Sequence, residues 1–169
     1  MRSFLKVVDS ISEWVGLTGR WFAVGLVLIV SLEVILRFVF NRPTLWAYET
    51  SVMLGGSVYV LAFGYVHRHH AHVRVDILQA RLSNRGRAII DVLGDLLLFF
   101  PLIMLLVLVA WDWTIYAWTT GERMPITGWY PPAGPLRTIV FLGFSVFALQ
   151  GVAQFIRDLH LLIRNKPYD

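Results

Sequence analysis

The sequence predicts an all-α integral membrane protein with four transmembrane helices and interfacial helices on the cytoplasmic side. Of its 169 residues, 57% are hydrophobic and only 15% are charged, more apolar surface than a soluble domain could bury. Four hydrophobic stretches are each long enough to cross the ~30 Å hydrocarbon core of a bilayer. Most basic residues lie between these stretches, beside the expected membrane surfaces. We therefore expect residues 1–169 to form a single membrane domain.

Residues 1–20 precede the first hydrophobic stretch. Phe4, Val8, Ile11 and Val15 recur at helical spacing, and charged residues occupy another stripe. This pattern predicts an interfacial helix in the cytoplasmic headgroup layer. A simple extension of the first transmembrane helix fits the pattern equally well.

The first span is expected at about residues 21–40 and contains two charged side chains. Glu33 and Arg37 are four positions apart, so they share a helix face and can pair. Each would cost roughly 2.5–3.5 kcal/mol if it lay unpaired near the bilayer centre. We favour a buried pair that fixes packing, with a proton or ion relay as the functional alternative.

A tight turn from Asn41 to Leu45 is expected between the first span and the second, at about residues 47–66. Pro43 ends the helix, and Thr44 is the expected N-cap of the next one. Because the turn is short, the two antiparallel helices must be neighbours.

The start of the second span carries Trp46 and Glu49, which are three positions apart and face the same side. We expect Arg37, Trp46 and Glu49 to cluster at the outer end of the first two spans. Arg37 should then pair with either Glu33 or Glu49.

The basic connection after the second span is expected to form a helix on the cytoplasmic surface. It contains four histidines within six residues: His67, His69, His70 and His72. Such a cluster could bind a metal ion. We favour a membrane-surface loop without metal, in which His72 and Asp76 meet on one helix face and organise the connection.

The third span, at about residues 89–117, contains Pro101, which should bend it. An outer loop with four of the seven prolines follows, and should be irregular but stiff. The fourth span, at about residues 138–156, has no charged residue between Arg137 and Arg157. Its length of roughly 28 Å matches the hydrocarbon core.

The orientation follows from counting lysine and arginine residues. With four spans, eleven lie in the two termini and the central connection, against three or four on the opposite side. The excess of positive charge places both termini in the cytoplasm. Since orientation explains the basic residues, nucleic acid is not an expected partner.

Several chemistries are excluded or disfavoured by composition. The chain has no cysteine, which excludes disulfides, iron–sulfur clusters and covalent c-type haem. No histidine lies inside a span, and no phosphate-binding glycine pattern occurs. We expect neither an enzyme nor a bound cofactor or metal.

Several short motifs in order carry a resemblance to a known family. They are Arg37-Phe38-Val39-Phe40-Asn41, Trp46-Ala47-Tyr48-Glu49, His72-Val73-Arg74-Val75-Asp76-Ile77, Gly121-Glu122 and Leu149-Gln150-Gly151. With this spacing over four spans, the chain resembles the small membrane subunit of tripartite ATP-independent periplasmic (TRAP) transporters. It departs from the family at Tyr48-Glu49-Thr50, where many members carry two adjacent acidic residues.

The resemblance implies a multi-pass protein of the bacterial inner membrane that works in a complex within the lipid. A large multi-span subunit would hold the substrate and sodium sites, and a periplasmic substrate-binding protein would deliver an organic acid for symport. The small subunit would brace the large one. The residues proposed for structural or partner contacts are Glu33, Arg37, Asn41, Trp46, Glu49, His72 and Asp76.

Two other functions remain open at this point. The first is a self-contained four-span transporter or channel that acts as a homo-oligomer, with Glu33 as its ionisable site. The second is a membrane enzyme or metal protein that uses the histidine-rich connection. Copurification distinguishes these two functions from the small-subunit hypothesis. A small subunit should bring a large partner, a self-contained transporter only further copies of the chain, and a metal protein a metal.

Overall fold

A computed structural model describes residues 2–69 and 84–164. The helices are α1 (Arg2–Phe38), α2 (Trp46–Arg68), α3 (Asn84–Gly94), α4 (Phe100–Thr120) and α5 (Gly134–Arg164). A π-helical turn, Asp95–Phe99, joins α3 to α4. The described residues contain no strand, and four helical segments are long and apolar enough to cross a membrane. The predicted all-α membrane fold is confirmed, whereas the cytoplasmic interfacial helices stay a prediction.

Helix α1 runs without a break through residue 20. Its 37 residues span about 55 Å, well beyond the hydrocarbon thickness. Leu5 and Val8 are buried with Ala153 of α5, whereas Phe4 and Ile11 of the expected apolar stripe are exposed. Residues 2–20 thus continue the first long helix, as the extension alternative expected.

The turn between α1 and α2 depends on a left-handed residue. Asn41 has φ of 55°, a conformation that asparagine tolerates better than most residues. The expected N-cap at Thr44 is wrong, because Leu45 precedes α2 and no side chain caps the helix. The Thr44 hydroxyl donates to the Glu33 carboxylate instead, a stronger acceptor because it is charged.

Helix α5 occupies the centre of the arrangement and packs against each of the other helices. Helix α1 packs mainly on α2, and α4 packs on α5. In the most apolar 18-residue stretch of each spanning segment, 28% of residues are buried in α5 and 22% in α2. The share is 6% in the segment Ile89–Thr120, which runs from α3 through α4, and zero in α1. The two flanking helices therefore have few fully buried residues, and many of their large apolar side chains are exposed.

Glycines bring the central helices close together. A Cβ on Gly143 of α5 would lie 2.8 Å from the backbone oxygen of Val60 in α2. Nearby, Phe63 of α2 packs its ring against Phe144 and Phe147 of α5. Close approach at small residues is the usual basis of helix association in lipid, where burying apolar surface gives little driving force.

The π-helical turn lies immediately before Pro101. Proline has no amide hydrogen to donate and its ring crowds the preceding turn, so a wider turn relieves the strain. Phe99 of this turn lies over Gly151, where an added Cβ would come within 2.1 Å of the ring. The turn therefore also shapes the contact with α5.

Candidate functional site

Polar contacts in the described residues concentrate at the two ends of the helices. We call them the loop end, with the α1–α2 turn and the α4–α5 loop, and the terminal end, where α1 begins and α5 ends. On α1, α2 and α5, one charged residue at each end of the helix forms a hydrogen bond to another part of the chain or to a neighbouring turn. These residues are Glu13 and Glu33 on α1, Arg68 and Glu49 on α2, and Arg157 and Arg137 on α5. The two residues on each helix are 19 or 20 positions apart. This corresponds to a rise of about 30 Å, the thickness of the hydrocarbon core.

At the loop end, Glu33 is the centre of the first polar group. Arg37 donates to Glu33 Oε1 from Nη2 at 2.7 Å and from Nε at 3.1 Å. Thr44 donates its backbone N–H to Oε2 at 3.2 Å, and its hydroxyl bonds the same oxygen. The expected pairing of Arg37 with Glu33 is confirmed. Because these contacts fix the carboxylate to the α1–α2 turn, they favour a structural role over an ion relay.

Glu49 forms the second group at the loop end and is completely buried. Its Oε1 accepts from the backbone N–H of Thr127 at 2.5 Å and from the Thr127 hydroxyl at 2.7 Å. Its Oε2 has no hydrogen-bond partner among the described residues. Arg37 bonds Glu33 rather than Glu49.

Two other predicted site residues, Asn41 and Trp46, lie in the α1–α2 turn and at the start of α2. Trp46 is half-buried, and its backbone oxygen accepts from the Thr50 hydroxyl at 2.8 Å. Asn41 is exposed in the α1–α2 turn. His72 and Asp76 lie outside the described residues. The functional roles of all these residues stay predictions.

The α4–α5 loop, residues 121–133, folds back on itself. Met124 N–H donates to the Pro131 oxygen at 2.9 Å, and Ala133 N–H donates to the Glu122 oxygen at 2.9 Å. Arg137 closes the base of the loop by pairing with the Glu122 carboxylate at 2.6 Å. The loop thus holds a defined shape with little regular secondary structure.

The terminal end contains a buried network that the sequence interpretation did not predict. Ser12 donates to Gln150 Oε1 at 2.7 Å, and Gln150 Nε2 donates to Asp9 Oδ1 at 3.1 Å. Arg157 donates to Asp9 Oδ2 at 2.5 Å, and Arg68 to the Asp9 backbone oxygen at 3.0 Å. The network joins α1, α2 and α5. The sequence feature that could have revealed this network is Gln150, a polar residue inside a span without charges, because such residues often form hydrogen bonds across helices.

A second contact at the terminal end involves the start of the histidine-rich connection. Arg68 pairs with Glu13, and His69 Nε2 lies 3.4 Å from the same carboxylate. His67 stacks on Phe99 with ring centroids 5.3 Å apart. No group of three metal-binding side chains occurs among the described residues. His70 and His72 are outside that part of the chain, so the absence of metal stays a prediction.

The described helices also form an apolar groove between α4 and α5. Its volume is about 690 Å³, and its lining includes Phe100, Pro101, Met104 and Leu149, with Ser145 as a polar member. The Ser145 hydroxyl already donates to the Phe141 backbone oxygen at 2.7 Å. The lining suits an acyl chain or a neighbouring helix and offers no charged group to a polar substrate.

The sequence matches one known protein family. The family described as "Tripartite ATP-independent periplasmic transporters, DctQ component" matches residues 26–161, well over half of the chain. The match begins within α1 and ends within α5, so it includes both polar groups at the loop end and the glutamine at the terminal end. No curated protein matches the chain.

Proposed function

Because the chain belongs to the DctQ component family of tripartite ATP-independent periplasmic transporters, we propose that it braces the large membrane subunit during sodium-driven uptake of an organic acid. The family makes it the small permease subunit of a transporter, a multi-pass membrane protein that works with a large membrane subunit and a substrate-binding protein. The bracing role, the coupling ion and the class of substrate are our proposal. As a transporter component, the chain is proposed to carry no catalytic activity.

The exposed surfaces of α1 and α4 carry this proposal. No residue in the most apolar stretch of α1 is fully buried, and only 6% are in that of the segment Ile89–Thr120, which includes α4. Two long helix faces are therefore available to a membrane partner. Polar contacts join α1 to α5 at the terminal end and α2 to the α4–α5 loop at the loop end. A rigid unit with open apolar flanks suits a static support for a subunit that moves.

The carboxylates of the first two spans support the same function. Glu33 is engaged by Arg37 and Thr44, and Glu49 by Thr127. Independent secondary carriers usually hold ions near the bilayer midplane between broken helices. Here these carboxylates bond to the turn and loop at one end, which favours a support over a self-contained carrier.

We further propose that the chain lies in the bacterial inner membrane with both termini in the cytoplasm and the loop end in the periplasm. The excess of lysine and arginine in the termini and the central connection supports this orientation. A reporter fused after Asp169 should be active only if it is a type that works in the cytoplasm. Activity of a periplasmic reporter at that position would contradict the four-span topology.

In this orientation the α4–α5 loop faces the substrate-binding protein. Ile126, Trp129 and Tyr130 of this loop are about half exposed. Aromatic side chains with one free face are common anchors in protein interfaces. We therefore include the loop in the surface that receives the substrate-binding protein.

Reconstitution tests the main proposal. Liposomes that contain the large subunit should take up substrate poorly under a sodium gradient until this chain is added, with the binding protein present in both cases. An equal rate without the chain would contradict the bracing role. Sodium-dependent uptake by the chain alone would instead support a self-contained homo-oligomeric transporter.

A further inference from the structure

The bond between Glu49 and Thr127 joins two distant parts of the chain. Glu49 lies in the first turn of α2, and Thr127 follows 78 positions later in the α4–α5 loop. One buried carboxylate oxygen accepts both the backbone N–H and the hydroxyl of this threonine. Both donors of Thr127 are therefore held at a single point on α2.

Thr127 lies beside the exposed residue Trp129, and we call residues 127–129 the tip of the loop. The Thr127 hydroxyl oxygen accepts from the backbone N–H of Trp129 at 3.3 Å, which extends the bonded chain to that residue. Between them, Gly128 lies close to Leu45, since a Cβ built on it would be 3.6 Å from Leu45 Cδ1. The loop segment thus rests on the start of α2.

The other anchor of the loop acts at its base. Glu122 near the start of the loop pairs with Arg137 in the first turn of α5, directly after the loop. That contact holds the two ends of the loop together but does not fix where its tip lies relative to α2. Glu49 is on another helix, so its bond to Thr127 fixes the tip relative to the rest of the bundle.

We propose that Glu49 is a positioning residue that latches the α4–α5 loop in the geometry needed to dock the substrate-binding protein. The latch rests on the proposed function, in which this loop receives that protein. A loop already held in its bound shape loses less conformational freedom on association. Glu49 lies beneath the loop and Trp129 is exposed, so the carboxylate acts without contacting the partner.

The latch itself is tested by hydrogen exchange at the Thr127 amide in the purified chain. Glu49→Ala removes the acceptor and should speed exchange at least about tenfold, and Glu49→Gln keeps an acceptor oxygen and should restore slow exchange. Glu33→Ala is the matched control, because it removes the other loop-end carboxylate, which bonds Thr44 instead. Equal exchange in the wild-type chain and Glu49→Ala would overturn the latch.

The role in docking is tested in the reconstituted transporter by varying the concentration of the binding protein. Glu49→Ala should raise the KM for the binding protein by about tenfold with little change in kcat, and Glu49→Gln should restore it. A fall in kcat at unchanged KM would contradict positioning. If Glu49→Ala does not fold, Thr127→Val removes only the hydroxyl and should raise KM severalfold, against Thr127→Ser as control.

The two proposals fail in different ways. If uptake does not require this chain at all, the bracing function is wrong, while exchange at Thr127 still reports on the latch. If uptake requires the chain and Glu49→Ala frees the Thr127 amide without changing the KM for the binding protein, the docking role of the latch is wrong.

Discussion

Replacing Gly143 with alanine should force α2 and α5 apart. A Cβ at this position would lie 2.2 Å from Val60 Cγ1, 2.8 Å from the Val60 backbone oxygen and 3.0 Å from its carbonyl carbon. A rotation of the valine side chain can relieve the first contact. The other two involve backbone, so the helices themselves must move.

The magnitude follows from two opposing effects. Overpacking a well-packed contact costs about 1–3 kcal/mol. Alanine regains about 0.8–1 kcal/mol over glycine through helix propensity. The net expectation for Gly143→Ala is a loss of about 0–2 kcal/mol in the free energy of unfolding, against a gain of about 0.8–1 kcal/mol where only the propensity acts. Gly94→Ala is the control, because no atom lies within 4 Å of its built Cβ and only the propensity gain remains.

The assay is equilibrium unfolding of the detergent-purified chain, followed by tryptophan fluorescence. The double variant Val60→Ala/Gly143→Ala tests the contact directly: against Val60→Ala alone, the Gly143 substitution should cost less than in the wild-type chain. Recovery should be partial, since the contacts with the Val60 backbone remain. Equal changes in unfolding free energy for Gly143→Ala and Gly94→Ala would refute the close packing of α2 on α5.

Two other predictions concern the terminal end. Gln150→Leu removes the acceptor of Ser12 and a donor to Asp9, and should lower the unfolding free energy by about 1–2 kcal/mol. Gln154→Leu is the control and should cost less, because among the described residues Gln154 bonds only Asp158 on its own helix. Equal losses in chemical denaturation would contradict the network. Replacement of all four histidines of the connection by asparagine should leave metal content unchanged, and loss of a stoichiometric metal in elemental analysis would support the metal hypothesis.

The sequence predicted those features that depend on local spacing. The number of long helices follows from the length of each apolar run, because the bilayer sets a minimum length for crossing. The pair of Glu33 and Arg37 follows from four-residue spacing on one helix, which brings side chains together whatever the rest of the fold does. Both features are present in the structure.

Features that depend on the path of a loop or on distant packing could not be predicted in this way. Glu49 was selected as a contact residue, but its partner Thr127 belongs to a loop whose direction no periodicity reveals. The assignment of Thr44 as an N-cap failed because a local rule ignored the carboxylate that the turn brings beside it. Residues 2–20 left two alternatives, and tertiary packing of Leu5 and Val8 accompanies the continuous helix.

The two carboxylates of the loop end show how such a subunit can be rigid without a large core. Each accepts both the backbone N–H and the hydroxyl of one threonine, Glu33 from the α1–α2 turn and Glu49 from the α4–α5 loop. Loops outside the hydrocarbon cannot be held by apolar packing against lipid, so hydrogen bonds to charged acceptors supply the order. Because these bonds lie at the ends of the helices, they leave the exposed apolar side chains of α1 and α4 uncovered. A partner can therefore pack against those side chains without disturbing the contacts that fix the loops.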